Sequence, residues 1–249
     1  MVLPYRNIAV VMPAALVLLY RISIPLAKVF GLIRDDSMDG VIPGRIVPVY
    51  ADANGQREGK EAIGNKDLCV IMLAARSNHA LGLLAPGYKA VGDFMTSFVQ
   101  DLSDNAEENG FLGASNWISN NDRGANNETM GLLYFETPEH LHNWSHGPKH
   151  TEAMNWWKND YDKWGHIGII HEVFTVPRRN WEGVYNNYHP TGLGATATSA
   201  MIKDDQGERK VWINPLVKGT GPLKYSKVRM NRTIADEEKQ MLDALAARD

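Results

Sequence analysis

Disulfide chemistry is the first thing this chain lacks. Its 249 residues hold one cysteine, Cys69, so no internal disulfide framework can staple the fold. Cys69 lies in the apolar run LCVIML and reads as a small buried hydrophobe rather than a thiol nucleophile, which would need an electropositive setting. An excess of one charge is also missing: 26 Lys and Arg stand against 29 Asp and Glu, a net charge of -3. Without a basic patch interleaved with aromatics, nucleic acid is excluded as a partner. No GxSxG, Walker or dinucleotide fingerprint is present. Gly192-Leu-Gly194 is too short for a phosphate loop and does not lead a strand into a helix. Hydrolases and nucleotide enzymes therefore fall away. There is no internal repeat and no low-complexity segment.

What is present is an ordinary apolar content of 44% and a generous aromatic supply, seven Trp and nine Tyr. Such residues suit a flat apolar cavity. Ile8–Tyr20 is a thirteen-residue apolar run between Arg6 and Arg21, continued weakly by ISIPLAKVFGLI. Thirteen residues are short of the roughly twenty that span a bilayer, and no small-residue cleavage site follows. Bridging Arg21 and Pro25 makes residues 1–34 an apolar helix that can anchor in or lie on a membrane surface through residues 5–34. The alternative is a helix packed on the fold or across a dimer. The expected location is membrane-associated and intracellular, otherwise cytoplasmic.

Residues 35–66, with five glycines and two prolines, read as a linker or an irregular wrap over the domain, with one extended piece at Arg45–Tyr50. A domain over 67–195 follows. Leu68–Ala75 suits a buried strand, and Pro86–Asn105 carries Val91, Phe94, Phe98 and Leu102 at helical spacing. Phe111–Ser119 and Met130–Phe135 read as strands about a polar turn containing Arg123. Thr137-Pro138 caps and opens a helix that Gly147-Pro148 interrupts. Ile167–Val176 is a closing strand. Strand, helix, two strands, helix, strand is the ferredoxin-like α+β arrangement, with helices on one face of an antiparallel sheet. Its other face needs cover, which a second copy supplies, so a homodimer is expected. Residues 196–249 form an extension, a hairpin about Asp205–Gly207 and then a helix from Thr233.

The chemistry centres on Ile167–Val176. Alternation puts Ile167, Ile169, His171 and Val173 on one face and Ile170, Glu172 and Phe174 on the other. His171 therefore sits among branched aliphatics lining a core or pocket. It is either a core histidine bonded to a carbonyl or a ligand inside an apolar cavity. His189 follows eighteen residues later in a glycine-rich loop, as a second pocket histidine or an exposed turn residue. Two histidines at one apolar cavity suit haem. His142 and His146 share a chelating spacing, yet no carboxylate or cysteine completes a zinc set, and a surface cluster is favoured.

The runs HLHNWSHGPKHTEAMNWW and GIIHEVFTVPRRNWEGVYNNYHPTGLGA resemble a family of small monooxygenase-like proteins of the dimeric α+β barrel class. Its fungal members include the polyene monooxygenase of the fumagillin pathway. The likeness covers about Leu68–Ala195. More distantly the chain is similar to haem-containing aldoxime dehydratases, which carry a histidine–glutamate pair on a late strand and then a histidine–proline. That resemblance implies His171 as the proximal haem (haem b) ligand and His189 as the distal catalytic residue, with Arg123 or Ser115 adding hydrogen bonds. This chain departs in having one barrel-type domain where the dehydratases have two. Trp144, Trp157 and Phe174 are expected either to line the cofactor cavity or to be core. The expectation is an oxygenase, haem-dependent or cofactor-free, acting on a hydrophobic polyene or polyketide-like small molecule in secondary metabolism. The alternatives are a haem dehydratase and a non-catalytic barrel that binds a hydrophobic ligand.

Overall fold

The computed structural model describes residues 4–57, 62–119, 128–204 and 207–232. The chain divides into two compact units, Met1–Val41 and Ile42–Asp249. In the first, helix α1 (Pro4–Val29) contains Pro13 and Pro25. Its side chains from Val11 to Tyr20 are mostly exposed although almost all are apolar. The segment after it is drawn together by the Lys28–Asp36 ion pair and by Arg34 donating to Asp39 at 2.6 Å.

The second unit is built on β2 (Leu68–Ser77), β3 (Phe111–Ile118), β4 (Glu128–Phe135) and β5 (Ile167–Val176), joined antiparallel in the order β3-β4-β2-β5. With α2 (Tyr88–Asp104), α3 (Pro138–Ser145) and α4 (Pro148–Asn159) between the strands, this is the ferredoxin-like α+β fold. Thr137 caps α3, its hydroxyl accepting from the His140 amide, with Pro138 in the first turn. Gly147 and Pro148 then end one helix and start the next. β2 is the central strand, covered by the helices on one face and at its start on the other, and its sequence is accordingly a continuous apolar run. Cys69, Ile71 and Ala75 face the helices and pack with Leu102, Phe135, Leu141, Tyr88 and Val91. The opposite face begins with Leu68 and Val70, packed against Tyr50, Trp181, Leu112, Tyr134 and Leu193.

That second cover decides between the two readings of 35–66 against the linker and for a wrap over the domain, one that is regular rather than irregular. β1 (Ile42–Pro48) is an integral strand flanked by β6 (Tyr185–Tyr188) and β9 (Leu216–Lys218). Ile46, Val47, Val49 and Tyr50 are buried. A local signal showed one extended piece, but its partners lie about 140 residues downstream, where no local pattern reaches. The hairpin of the extension is present as β7 (Thr198–Asp204) and β8 (Gly207–Ile213). Arg123 and the expected helix from Thr233 lie outside the described residues.

The turn Gly192–Ala195 docks on a bulge in β3 between Phe111 and Gly113. The Ala197 amide donates to the Leu112 carbonyl at 2.8 Å. Gly113 has φ +147, and a Cβ there would lie 2.8 Å from the Ala195 carbonyl oxygen. Only glycine permits both that backbone and that approach.

Candidate functional site

The register of β5 on β2 pairs Ile169 with Ala75, His171 with Leu73 and Val173 with Ile71. Directly opposed residues share a face, so His171, Ile169 and Val173 face the helix layer, and Glu172 faces away from it. The strand and its alternation are as expected; the burial is not. β5 is an edge strand, and beyond Ile167 at its start, which packs in the helix-side cluster, it is left uncovered. His171 is exposed, and Ile169 and Val173 are 44% and 47% exposed. The imidazole makes no hydrogen bond among the described residues, so it is neither a core histidine nor enclosed in a pocket. It stands free over an apolar strip.

His150, on α4, feels the charge of His171. Its half-buried ring lies 5.7 Å from Phe98 and 5.7 Å from Trp144. Burial is the main cause that holds its pKa below the ordinary 6.5, and the charges of His146 and His171 push the same way, against a hydrogen bond with the Ser145 backbone. A histidine depressed in the fold adds stability that is present above its unfolded pKa and lost as the pH falls through the folded value. Thermal midpoints should therefore drop as the pH falls from 7 toward 5, and His150→Gln should flatten that slope. Parallel melting curves for the two proteins would contradict this.

Trp144 packs edge-on to Phe98 at 5.2 Å and donates its indole N–H to Asp101 at 2.9 Å. Trp157 joins the cluster of Tyr88, Val91 and Ile167. Both belong to the helix layer, on the side His171 faces, and both are partly buried core residues. Phe174 does not join them. It lies three residues from His171 on the same strand, pairs with Val70 and faces the opposite side, 49% exposed.

His189 is not brought to His171 either. It follows β6 and stacks on Tyr188 at 4.6 Å, exposed. Its segment belongs to the cover over the opposite face of the sheet. Ser115 is on that opposite face too, buried, accepting a hydrogen bond from the Trp117 indole at 3.1 Å.

Across that face the strands align side chains in rows. Gly113, Tyr134, Val70 and Phe174 form one; Ser115, Leu132, Met72 and Glu172 the next; Trp117, Met130, Ala74 and Ile170 the third. The cover from Tyr50, Trp181 and Leu193 meets the first row. Beyond it Ile170 and Phe174 are about half exposed.

No group of three His, Cys, Asp or Glu able to hold a metal ion occurs among the described residues. The rings of His142 and His146 are 4.2 Å apart, and the His146 Nδ1–H donates to the His142 carbonyl at 2.8 Å. A cleft of about 160 Å³ beside Tyr50, Asp52 and Lys66 is too small for a porphyrin. Two residues escaped the sequence-level site. His150 was readable only as part of a helix face. The other is Asp101, and no local pattern reports that it accepts from Trp144 on a different helix.

Comparison with known proteins matches residues 68–193 to the Monooxygenase af470-like family. Monooxygenase af470 of Aspergillus fumigatus is 30% identical over 235 residues, covering 93% of this chain and 81% of that protein. Among solved structures, an aldoxime dehydratase in complex with butyraldoxime is 15% identical with a TM-score of 0.43, over 61% of this chain and 39% of the dehydratase. The cofactor-independent oxygenase SnoaB of Streptomyces nogalater is 14% identical with a TM-score of 0.28, over 43% of this chain and 92% of SnoaB.

Proposed function

Because the chain belongs to the Monooxygenase af470-like family, we propose that it is an oxygenase acting on a hydrophobic, polyene or polyketide-like small molecule. The observation that carries the substrate class is the uncovered apolar surface of β5, with half-exposed aliphatics flanking a free imidazole. Apolar area left open in this way is the mark of a ligand or partner surface.

Of the residues on the helix side, one has the chemistry to hold haem. His171 would hold the iron, since its ring has no competing hydrogen bond among the described residues. Trp144 and Trp157 stand in the layer it faces. Bound there, haem would supply oxygen activation. His150, whose pKa burial holds below the ordinary 6.5, would be a proton or hydrogen-bond acceptor on α4 in the same helix layer. Ile169 and Val173 offer apolar contact to the ligand. His189 has no part in this arrangement, because it is carried by the cover of the other face. We further propose that α1 brings the protein to a membrane surface.

The deciding experiment is the absorption spectrum of the full chain produced with haem supplied, beside His171→Ala, with oxygen uptake measured over a panel of polyenes. The expected result is an intense porphyrin band that is lost or shifted in the variant, and substrate-dependent oxygen uptake. A colourless, folded wild type that still consumes oxygen removes the haem and leaves a cofactor-free oxygenase. Nitrile formation from an aldoxime without oxygen uptake makes the protein a dehydratase. Binding without any turnover removes the enzyme altogether.

A further inference from the structure

We infer that Trp144, with Asp101 as its proton acceptor, is a one-electron donor to an oxidant held on the helix side of β5. The chain carries seven tryptophans, and the partner of each indole N–H sets them apart. Among the described residues Trp144 alone donates to a carboxylate, Asp101 Oδ2 at 2.9 Å. Trp181 donates to the Lys66 carbonyl, and Trp117 to the Ser115 hydroxyl. The N–H of Trp164 is sealed without a partner. Those of Trp156, Trp157 and Trp212 meet no acceptor among the described residues.

The partner decides what oxidation does to an indole. Losing one electron makes its N–H about as acidic as a carboxylic acid. A carbonyl or a hydroxyl cannot keep that proton, whereas a carboxylate can. At Trp144 one electron goes to the oxidant, the N–H bond breaks and the proton crosses to Asp101. A neutral indolyl radical and a carboxylic acid remain, so atoms, electrons and charge balance. Giving up the proton lowers the energy of the oxidised state. A hole that reaches the helix layer therefore settles on Trp144 rather than on Trp156, Trp157 or Trp164.

The position suits the role. Asp101 comes from α2 and Trp144 from α3, so the packing of the two helices holds the pair together. The Trp144 ring lies 5.2 Å from Phe98 and 5.7 Å from His150, and His150 in turn feels the charge of His171. A bond that merely pinned α3 to α2 would work as well with an amide as with a carboxylate, and that difference makes the role testable. The native oxidant rests on the oxygenase reading; the Trp144–Asp101 pair does not.

The test accordingly supplies the oxidant from outside. In the full chain, His171→Cys is labelled with a ruthenium bipyridyl, Cys69 being buried. A flash with methyl viologen as electron acceptor then generates ruthenium(III), a one-electron oxidant, at position 171. Transient absorption separates the neutral indolyl radical from its cation, and electron paramagnetic resonance separates tryptophan from tyrosine. The labelled parent should give the neutral tryptophan radical. Trp144→Phe should lose it, and Trp156→Phe should retain it. Asp101→Asn keeps the indole, its packing and an acceptor oxygen but no base, and should give the radical cation instead. It also decides the matter if Trp144→Phe does not fold. A full yield in Trp144→Phe, or a parent that gives no tryptophan radical, overturns the donor. A prompt neutral radical in Asp101→Asn overturns the proton transfer and leaves the bond a structural tie. Because ruthenium stands in for the native oxidant, these outcomes hold whether or not the unlabelled protein consumes oxygen.

Discussion

Gly113→Val should lower the melting temperature by about 6–12 °C, corresponding to roughly 3 kcal/mol lost. Two separate faults add up at this residue. At φ +147 a β-branched side chain is strained before it meets anything. Its Cβ would then press on backbone, the Ala195 carbonyl at 2.8 Å and the Thr196 Cα at 3.0 Å, and backbone cannot rotate aside as a side-chain tip can. Relief requires the 192–196 turn to lift off β3, breaking the Ala197–Leu112 hydrogen bond and unsettling Tyr50, Tyr134 and Leu193 beneath it. Gly165→Ala is the control, because nothing lies within 4 Å of a Cβ there. If Gly113→Val melts with the wild type and the control, the turn is not seated on the bulge as described.

The second large effect concerns where the protein is found. The full chain should sediment almost entirely with phospholipid vesicles, and the chain beginning at Ile42 should remain in the supernatant. The window Val11–Val29 is nineteen residues with a mean hydropathy of 1.5 and none of it buried, about 28 Å of helix at 1.5 Å per residue. Leu16, Leu18, Leu19, Ile22 and Leu26 are each about half exposed or more. Withdrawing five such side chains from water is worth on the order of 10 kcal/mol. Arg21 and Lys28 oppose full immersion, and long basic side chains meet that by reaching their charge to the headgroups. A full chain that stays in the supernatant, monodisperse and folded, would sink the membrane assignment. The compact Ile42–Asp249 unit has its own cores, so the shortened chain has a fold to keep.

These two features differ in how far the sequence announces them. The apolar run and its length are local, as are the Thr137 cap and the Gly147-Pro148 break, and all were readable. The strand order was readable too, because the alternation of strands and helices over 67–176 leaves few topologies. Edge position is another matter. Whether β5 is covered depends on which strand ends up outside and where α4 comes to rest, so alternation gave His171 the right face and the wrong degree of burial. Phe174 was decidable in advance, since a residue three positions from His171 on a strand must point the other way. His189 follows His171 by eighteen residues, yet the chain passes to the opposite face between the two. The pairing of Trp144 with Asp101 emerges only in three dimensions, since the two lie on different helices.

The pairing of β1 bears on the order in which the protein is made. The Gly44 amide donates to the side-chain oxygen of Asn187, 143 residues further along, and β9 on the other side of β1 comes later still. At 5–20 residues per second, a ribosome delivers those partners roughly ten to thirty seconds after β1 has emerged. Throughout that interval Ile46 and Val47, buried in the finished fold, lack the strands that flank them. The four-stranded sheet, complete at Val176, can form in the meantime. The last-made strand of the described chain is thus the one that seals the first, and a message truncated after β6 but before β9 would yield a sheet whose oldest strand is paired on one side alone.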